Sequence, residues 1–337
     1  MLSWVVLLRS MDRSDLIALG FDTSNYRTSV AAVSLDGMVL ANARKLLDVP
    51  LGKRGLRQSE ALFQHVNNLP ALVRQVMDEL GERRRAVCCV SASTKPRPVE
   101  GSYMPVFNAG ITAASMLADT LDVPMYRFSH QEGHIAAVRA GSPAEEMRRF
   151  VSFHLSGGTT EAVLVDESGP RPTYSIIGGT RDISYGQLLD RVAVAMGMAF
   201  PGGEEMDQIA LSTPTSDVQL PRIKVTEGYF HLSGLESHCQ RVIAAGEDSR
   251  EGLILALFQE IAASMKTMMI QLKQKQPIEG FLFAGGVASS RFIREQLSDR
   301  PDIVFGNPQL SGDNAVGIAY LGGRAYGSQT HQCLTTE

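Results

Sequence analysis

Leu16-Ile-Ala-Leu-Gly-Phe-Asp-Thr-Ser24 decides the fold, because a related stretch, Phe150-Val-Ser-Phe-His-Leu-Ser-Gly-Gly-Thr-Thr160, occurs later in the chain. In both stretches a short apolar run, typical of a buried strand, enters a polar turn. Two further strand-like segments follow each turn, and helical stretches come after them, at 58–80 and at 185–198. Pro70 lies inside the first helical stretch, and we expect it to kink or split that helix.

This weak internal duplication predicts the architecture. A strand, a polar turn, two more strands and then helices, repeated once, indicate a two-lobed α/β protein with a cleft between the lobes. Polar turns present backbone N–H groups and hydroxyls, which suit phosphate oxygens. The turn at 156–160 is therefore one candidate phosphate turn, and Asp22, Thr23 and Ser24 form a second.

The composition is that of an ordinary globular protein, and it excludes several classes. The chain has 337 residues, of which 44% are hydrophobic and 20% charged, and its net charge of −4 provides no global basic field for nucleic acid. Its four cysteines lack metal or disulfide spacing, which fits a reducing, cytoplasmic compartment. We expect no membrane association, because the sequence shows no apolar run that approaches the length of a membrane span.

His130 and His134 lie four residues apart in Ser-His-Gln-Glu-Gly-His, and on a helix they share one face. Two imidazoles so placed can occupy neighbouring positions on one metal ion. The alternative is a helix N-terminus capped by Ser129 with two solvated histidines. A zincin protease is excluded, because its glutamate directly follows the first histidine, where this chain has Gln131. Glu132 is more simply explained as a first-turn acid favoured by the helix dipole.

A third glycine-rich turn, Ala284-Gly-Gly-Val287, follows the apolar Gly280-Phe-Leu-Phe283 and precedes a predicted helix. A strand, a Gly-Gly pair and a helix in that order can bind a nucleotide, because the N–H groups at the start of the helix face the phosphates. A Gly-Gly pair at a strand end is also found in plain tight turns.

Taken together, these motifs resemble the TsaD family, the tRNA threonylcarbamoyladenosine transferases, formerly called the glycoprotease family, which have the actin/hexokinase-like ATPase fold. The resemblance extends from about Leu16 to Gly327, and its specificity lies in the order and spacing of eight short stretches. They are Gly20–Ser24, His130–His134, Ser156–Thr160, Asp190–Ala193, Pro201–Gly203, Phe230–Leu235, Ala284–Val287 and Ser311–Asn314.

The resemblance implies a metal site and a domain arrangement. In the family two histidines and a late aspartate hold one divalent metal, iron or zinc, and these correspond to His130, His134 and Asp313. We expect lobe I at 15–126 with 300–327 and lobe II at 127–299. Residues 1–14 are expected to form an N-terminal extension and 328–337 a flexible tail.

The resemblance also implies an adenine-nucleotide site that takes ATP, ADP or threonylcarbamoyl-AMP. Phosphate contacts correspond to the 156–159 turn, ribose and neighbouring contacts to Asp190, Gly203 and Asp207, and the adenosine pocket to the late Gly-Gly turn. The residues are Ser156, Gly157, Gly158, Thr159, Asp190, Gly203, Asp207, Gly285, Gly286 and Ser290.

The implied reaction moves the threonylcarbamoyl group from threonylcarbamoyl-AMP to the adenosine next to the anticodon of tRNA. The implied partners are tRNA, a related small actin-fold subunit and an accessory ATPase of the modification complex. Some positions depart from the family pattern: Thr159 replaces a histidine, Ser290 replaces an asparagine, and Arg27 follows Ser24 where the family has an acidic pair. Two alternatives therefore remain: a paralogue that transfers a related carbamoyl or acyl group to another acceptor, and a non-catalytic nucleotide-binding partner subunit.

Overall fold

The computed structural model describes residues 12–24, 27–49, 56–169, 172–246, 249–307, 310 and 315–334. The chain divides into two compact units, unit 1 at Met1–Gly141 with Gly312–Glu337 and unit 2 at Ser142–Ser311. The elements of unit 1 are β1 (Ile17–Asp22), β2 (Arg27–Ser34), β3 (Val39–Leu46), α1 (Gln58–Leu80), β4 (Val87–Lys95), α2 (Phe107–Leu121), β5 (Met125–Ser129), α3 (His130–Arg139) and α9 (Val316–Leu334).

Unit 2 contains the remaining strands and helices. They are β6 (Arg149–Leu155), β7 (Thr160–Asp166), β8 (Thr173–Thr180), α4 (Tyr185–Ala195), α5 (Gly203–Ser212), β9 (Tyr229–Phe230), α6 (Ser233–Ala245), α7 (Arg250–Lys275), β10 (Phe281–Ala284), α8 (Arg291–Leu297) and β11 (Ile303–Phe305). Short 3₁₀ turns occupy Gly81–Ala86, Pro143–Glu146 and Val287–Ser289.

The two sheets confirm the predicted duplication. The unit 1 sheet has the order β3-β2-β1-β4-β5, and the unit 2 sheet has the order β8-β7-β6-β10-β11 with β9 added beside β8. In each sheet the first strand, β1 or β6, pairs antiparallel with the hairpin strand that follows it and parallel with a strand that returns after a helical connection. The α/β class with two related sheets is thus as the sequence predicts.

In unit 1, helices cover both faces of the sheet. Ile17, Leu19 and Phe21 of β1 are fully buried in a core that includes residues of α1 and α2. Gly20 faces the other side, where a Cβ atom would collide with the backbone of Ala315, just before α9, and of Ala319 in α9. The alternation of large side chains with a glycine on β1 therefore lets α9 lie directly on the sheet.

The core of unit 2 is built around α7 and the aromatic side chains of the parallel strands. The rings of Phe153 on β6 and Phe283 on β10 stack with their centroids 4.6 Å apart. Leu257, Ile261 and Met265 of α7 are fully buried against this layer. The methionines of α7 are packed in the core, where a flexible side chain fills gaps between helices.

Helix α7 is also long and apolar enough to cross a membrane, with a mean hydropathy of 1.5 over its most apolar window. The expectation that no apolar run approaches the length of a membrane span was therefore wrong for this helix. However, 72% of that window is buried inside unit 2. The apolar length of α7 is accounted for by its central place in the core.

Several predicted boundaries differ from the observed ones. The residues from 127 to 141 belong to unit 1, because β5 pairs with β4. Strand β11 pairs with β10 in unit 2, whereas the sequence predicts that it belongs to lobe I.

Two helices also differ from their predicted extent. Helix α9 continues to Leu334, so the expected flexible tail is helical at 328–334. Helix α1 is continuous across Pro70 and is not split there. The expected N-terminal extension at 1–14 lies largely outside the described residues.

Candidate metal and nucleotide sites

Helix α3 begins immediately after β5, and its first turn is fixed by a capping box. The Ser129 side chain accepts a hydrogen bond from the Glu132 N–H at 3.2 Å, and Glu132 Oε2 accepts one from the Ser129 N–H at 2.6 Å. The predicted cap at Ser129 is therefore confirmed. Glu132 closes the helix N-terminus, so its carboxylate is not arranged as the water-activating base of a zincin protease.

The capped helix brings the two histidine rings together. The Nε2 atoms of His130 and His134 are 2.8 Å apart, and their ring planes are inclined at 77°. Two nitrogen atoms bound about 2.1 Å from one cation at right angles are about 3.0 Å apart, so this spacing fits two neighbouring metal ligands. A direct hydrogen bond between the two rings has the same spacing.

Asp22, at the end of β1, contacts Nδ1 of His130, the ring nitrogen that does not face His134. Its Oδ2 atom is 3.0 Å from His130 Nδ1, and the carboxylate is fully buried while the His130 side chain is 19% exposed. When Nδ1–H donates to a carboxylate, Nε2 carries the lone pair that a metal needs. The hydroxyls of Ser24 and Ser93 also donate to Asp22, which keeps the carboxylate in place.

The turn at 22–24 is thereby used within unit 1. Asp22 holds His130, and the Thr23 hydroxyl donates to the Val106 carbonyl and accepts from the Gly110 N–H at the start of α2. The sequence predicts a candidate phosphate turn at these residues and does not predict the contact of Asp22 with His130. A contact across 108 positions has no local sequence signal.

The donor chemistry of this cluster fits a divalent metal. Two imidazole nitrogens converge, and a buried carboxylate holds the ring of one of them, as in many metal sites where an outer carboxylate fixes the histidine tautomer. The predicted third ligand, Asp313, lies outside the described residues. Within the part of the chain that the structure describes, no group of three such side chains has metal-ligand geometry.

In unit 2, the predicted phosphate turn connects β6 to β7 and is closed by its own residues. The Ser156 N–H donates to the Thr159 carbonyl at 2.8 Å, and the Thr159 N–H donates to the Ser156 hydroxyl at 3.1 Å. The turn is attached to α4, because the Ser184 hydroxyl donates to the Gly157 carbonyl. Gly157 and Gly158 are exposed, and their N–H groups donate to no acceptor in the described part of the chain. Such N–H groups can receive phosphate oxygens.

A cavity of about 530 Å³ opens beside this turn, within the size range of small-molecule sites. The structure brings six of the predicted nucleotide residues to its wall: Gly157, Asp190, Gly203, Asp207, Gly286 and Ser290. The predicted residues Ser156, Gly158, Thr159 and Gly285 are not among the lining residues. The sequence pattern does not predict the other lining residues, among them Leu189, Glu204, Gln208, Leu211, Phe258 and Arg291.

The two aspartates of this cavity have different surroundings. Asp190 accepts from the Gly202 N–H at 3.0 Å, and burial raises the pKa of its carboxyl although that hydrogen bond opposes the shift. Asp207 accepts from the N–H groups of Arg291 and Phe292 and from the Ser290 hydroxyl. Asp207 therefore caps α8 from across the cavity, while Asp190 presents a partly buried carboxyl to a ligand.

Gly285 has a positive φ of 100°, and a Cβ atom at this position would collide with the Leu155 carbonyl. This close approach joins the turn after β10 to the end of β6. The glycine pair is therefore required by the turn itself, and Gly286 is the member that reaches the cavity wall.

Comparison with known proteins identifies the family of this chain. The family model for TsaD, tRNA N6-adenosine threonylcarbamoyltransferase, matches residues 51–320. The tRNA N6-adenosine threonylcarbamoyltransferase of Streptococcus pneumoniae (strain ATCC 700669 / Spain 23F-1) is 31% identical over 319 residues, which cover 91% of each protein.

Solved structures agree on the fold. Component A of the (R)-2-hydroxyglutaryl-CoA dehydratase of Acidaminococcus fermentans superposes with a TM-score of 0.53 at 11% identity, covering 93% of this chain and 99% of that one. HypF of T. kodakarensis superposes with a TM-score of 0.57 at 13% identity, covering 93% of this chain and 47% of HypF. These likenesses confirm the predicted actin/hexokinase-like ATPase fold. The family match and the 31% identity along nearly the whole chain show that it belongs to the TsaD family of tRNA N6-adenosine threonylcarbamoyltransferases, enzymes of the acyltransferase type.

Proposed function

We propose that this enzyme transfers the threonylcarbamoyl group of threonylcarbamoyl-AMP to the N6 amine of the adenosine next to the anticodon of tRNA. The observation that carries the proposal is the His130–His134 pair, with converging Nε2 atoms 2.8 Å apart and Asp22 behind it. A family member that had lost its chemistry would not need to keep a buried carboxylate directed at a paired imidazole.

In this proposal His130, His134 and Asp313 hold one divalent metal, iron or zinc. The metal, when bound, acts as a Lewis acid that polarises the carbonyl of the donor. Asp22 is a positioning residue, because it touches His130 and orients that ring. The capping box of Ser129 and Glu132 fixes the first turn of the helix that carries both histidines.

The cavity of unit 2 would hold the AMP part of the donor, and the same cavity would take ATP or ADP. The free N–H groups of Gly157 and Gly158 would receive phosphate oxygens. Asp190, whose carboxyl lines the cavity, would accept hydrogen bonds from ribose hydroxyls. Gly203 and Gly286 leave room for the nucleotide, since a Cβ atom at either position would meet no other atom within 4 Å.

The tRNA substrate determines the proposed compartment and partners. The enzyme would act in the cytoplasm on tRNA, together with a related small actin-fold subunit and an accessory ATPase. Ser290, which replaces the asparagine of the family pattern, lines the cavity and offers a ligand fewer hydrogen bonds than an amide would. A serine at 290 nevertheless retains a hydroxyl that caps α8 and donates to Asp207.

Complementation tests the reaction. The chain is expressed in a strain that lacks its own threonylcarbamoyl transferase, and the threonylcarbamoyladenosine of bulk tRNA is measured by mass spectrometry. We expect the modified nucleoside to return with the wild-type chain and to stay absent with His134→Ala. A soluble chain that binds nucleotide and metal but restores no modified nucleoside would contradict the proposal and favour the paralogue with another acceptor.

A further inference from the structure

A second cavity of unit 2, of about 780 Å³, has no role in the proposed metal or nucleotide chemistry. It lies where β9 and the start of α6 meet the extended segment at 221–227. None of its lining residues lines the 530 Å³ cavity. We call it the basic cavity, after the four fixed cations on its wall, Arg181, Arg222, Lys224 and Arg241.

The lining of the basic cavity is mainly positive, whereas the whole chain is negative. Four guanidinium or ammonium groups and the imidazoles of His231 and His238 line the cavity together with one carboxylate, that of Glu227, which is 3.6 Å from Lys275. Two carboxylates outside the lining offset part of this charge, because Asp182 lies 3.6 Å from His231 and Glu260 lies 3.0 Å from Arg222. The chain as a whole has a net charge of −4. Positive charge concentrated in a concave surface raises the local concentration of anions.

Three of the four cations have no ion-pair partner in the described part of the chain, namely Arg181, Lys224 and Arg241. Lys224 and Arg241 are exposed and make no salt bridge or side-chain hydrogen bond there. Arg222 bonds to the buried Glu260 at 3.0 Å, which ties it to α7. Lys224 and Arg241 can therefore bind an external anion without breaking an internal contact.

An aromatic surface accompanies the charge. The Arg181 guanidinium lies over the Tyr229 ring at 3.9 Å from the centroid, and its backbone N–H donates to the Phe230 carbonyl. A guanidinium placed over an aromatic ring can still donate its N–H groups to phosphate oxygens. Cations interleaved with aromatic rings are the surface that RNA-binding proteins use for backbone contact and stacking.

The segment that carries Arg222 and Lys224 has no regular secondary structure, but it is anchored to α7. Glu260 accepts from the Ile223 N–H at 2.6 Å, and Gln271 donates to the Val225 carbonyl and accepts from the Gly228 N–H. The neighbouring cations are thereby held on a fixed backbone. A charge cluster fixed in this way loses little freedom when it binds a ligand.

We propose that the basic cavity binds phosphodiester groups of the tRNA substrate. The inference rests on the proposed function, which supplies the RNA. Exposure favours a polymer over a free nucleotide, because the side chains of Arg222 and His231 are 83% and 70% exposed. Such a surface matches a solvated backbone, whose binding is driven by release of counterions from several phosphates.

The test compares two triple variants of the full chain. Arg181→Ala, Lys224→Ala and Arg241→Ala together remove three cations of the basic cavity, and Arg222 is retained because it neutralises Glu260. The control removes Lys45, Arg74 and Arg84, three exposed cations of unit 1 without an ion pair in the described part of the chain. Both variants change the net charge equally.

Binding of an unmodified tRNA transcript is measured by fluorescence anisotropy at several salt concentrations. We expect Kd to rise on the order of tenfold or more for the cavity variant, and the slope of log Kd against log salt to fall by about 2 to 3. The control variant should bind as the wild type does. Binding of ADP, measured by calorimetry, should be unchanged in both, which shows that unit 2 is folded.

The possible failures are distinguishable. If the cavity variant binds tRNA like the wild type, or if both triple variants lose affinity equally, the inference is overturned while the proposed function stands. If the wild type itself neither binds nor modifies tRNA, the proposed function fails and the inference falls with it. A cavity variant that loses ADP binding instead of tRNA affinity would assign the cavity to a free nucleotide and would also overturn the inference.

Discussion

Asp22 is the residue whose role the structure changes most. It ends the strand that begins the duplicated pattern, and its fully buried carboxylate contacts His130, Ser24 and Ser93. A buried carboxylate is costly unless its oxygens are satisfied, and here hydroxyls and an imidazole satisfy them. At the scale of single residues, the first lobe motif thus supports the histidine pair.

We expect Asp22→Asn to weaken metal binding by about 10- to 100-fold, the usual effect of losing a carboxylate behind a metal-bound histidine. Asparagine keeps the shape and one acceptor oxygen but removes the charge that stabilises the His130 tautomer. The measurement is a zinc titration of the metal-free chain in competition with a chelator. Unchanged zinc affinity in Asp22→Asn would show that the carboxylate is only structural.

Glu132→Gln is the matched control on the same helix turn. Glutamine at this position retains the capping box, because its side-chain oxygen can still accept from the Ser129 N–H. Zinc affinity and transferase activity should therefore stay within about twofold of the wild type. In a zincin protease, loss of the glutamate carboxylate would remove the catalytic base.

The contacts that local sequence spacing can predict share one property. His130 and His134 are four positions apart, and the 156–160 turn is contiguous, so helix and turn geometry alone bring their atoms together. Asp22 and Asp207 reach their partners only through the fold, across 108 and 83 positions. Their roles depend on which strands pair and which helices are adjacent, and a single sequence does not specify that pairing.

At the scale of secondary-structure elements, one carboxylate fixes the backbone at the N-terminus of α6. Asp182 accepts from the N–H groups of Ile183, Leu232 and Ser233. Burial alone would raise the pKa of Asp182, but these backbone N–H groups together hold it well below its ordinary value. The depressed pKa means that the charged carboxylate is bound more favourably in the folded than in the unfolded chain.

We expect Asp182→Asn to lower the free energy of unfolding at pH 7 by about 1 kcal/mol, below the usual range for hydrogen bonds to a charged group, because solvent screens the carboxylate of this exposed residue. Because the folded pKa lies below the unfolded value of about 3.9, this stabilisation is present above about pH 4 and is lost as the pH falls further. Urea unfolding of both proteins between pH 3 and 7 tests this. A difference that stayed constant across that range would exclude the charge as its source.

The contact between α3 and α9 depends on two glycines. A Cβ atom on Gly317 would collide with the Gly133 carbonyl, and one on Gly133 would lie 2.7 Å from Ile318 Cδ1. Gly133 lies between His130 and His134, so this packing also positions the histidine pair. The backbones must approach closely for the metal site to keep its geometry.

Gly317→Ala should therefore destabilise the chain by about 1–3 kcal/mol, as overpacking does, and reduce its zinc content. Gly234→Ala, in α6, is the control, since no atom lies within 4 Å of its added Cβ. Thermal unfolding and elemental analysis of both variants are the measurements. Full zinc content and an unchanged Tm in Gly317→Ala would mean that α9 can shift without affecting α3.

Helix α1 shows where element prediction fails. Pro70 cannot donate a backbone hydrogen bond and normally ends or kinks a helix. Here Leu69 and Leu72 are buried in the core of unit 1, whereas Pro70 is exposed. The apolar face holds both halves of the helix against the sheet, so packing outweighs the local penalty.

At the scale of the whole molecule, the duplicated strand order was predictable because each copy repeats the same local alternation of apolar and turn residues. The boundary between the copies was not. A boundary at 127 falls inside β5, which pairs with β4, and α3 packs against α9 in unit 1. Strand pairing and helix packing place these residues in unit 1, and neither can be predicted from the composition of the segment.

The two units are expected to respond to different ligands, and hydrogen exchange can measure this. A metal bound by the histidine pair stabilises the state in which α3 is formed, so zinc should slow amide exchange in 130–139 of unit 1. ADP should slow exchange in 156–160 and 203–212 of unit 2, where the cavity wall lies. At a ligand concentration of 100 times Kd the stabilisation is about 2.7 kcal/mol, equal to about a 100-fold slowing of amides that exchange by global unfolding.

His134→Ala is the control for this experiment, and it should abolish the effect of zinc on amide exchange and leave the effect of ADP intact. If ADP left both unit 2 segments unchanged, the nucleotide site would have to lie elsewhere.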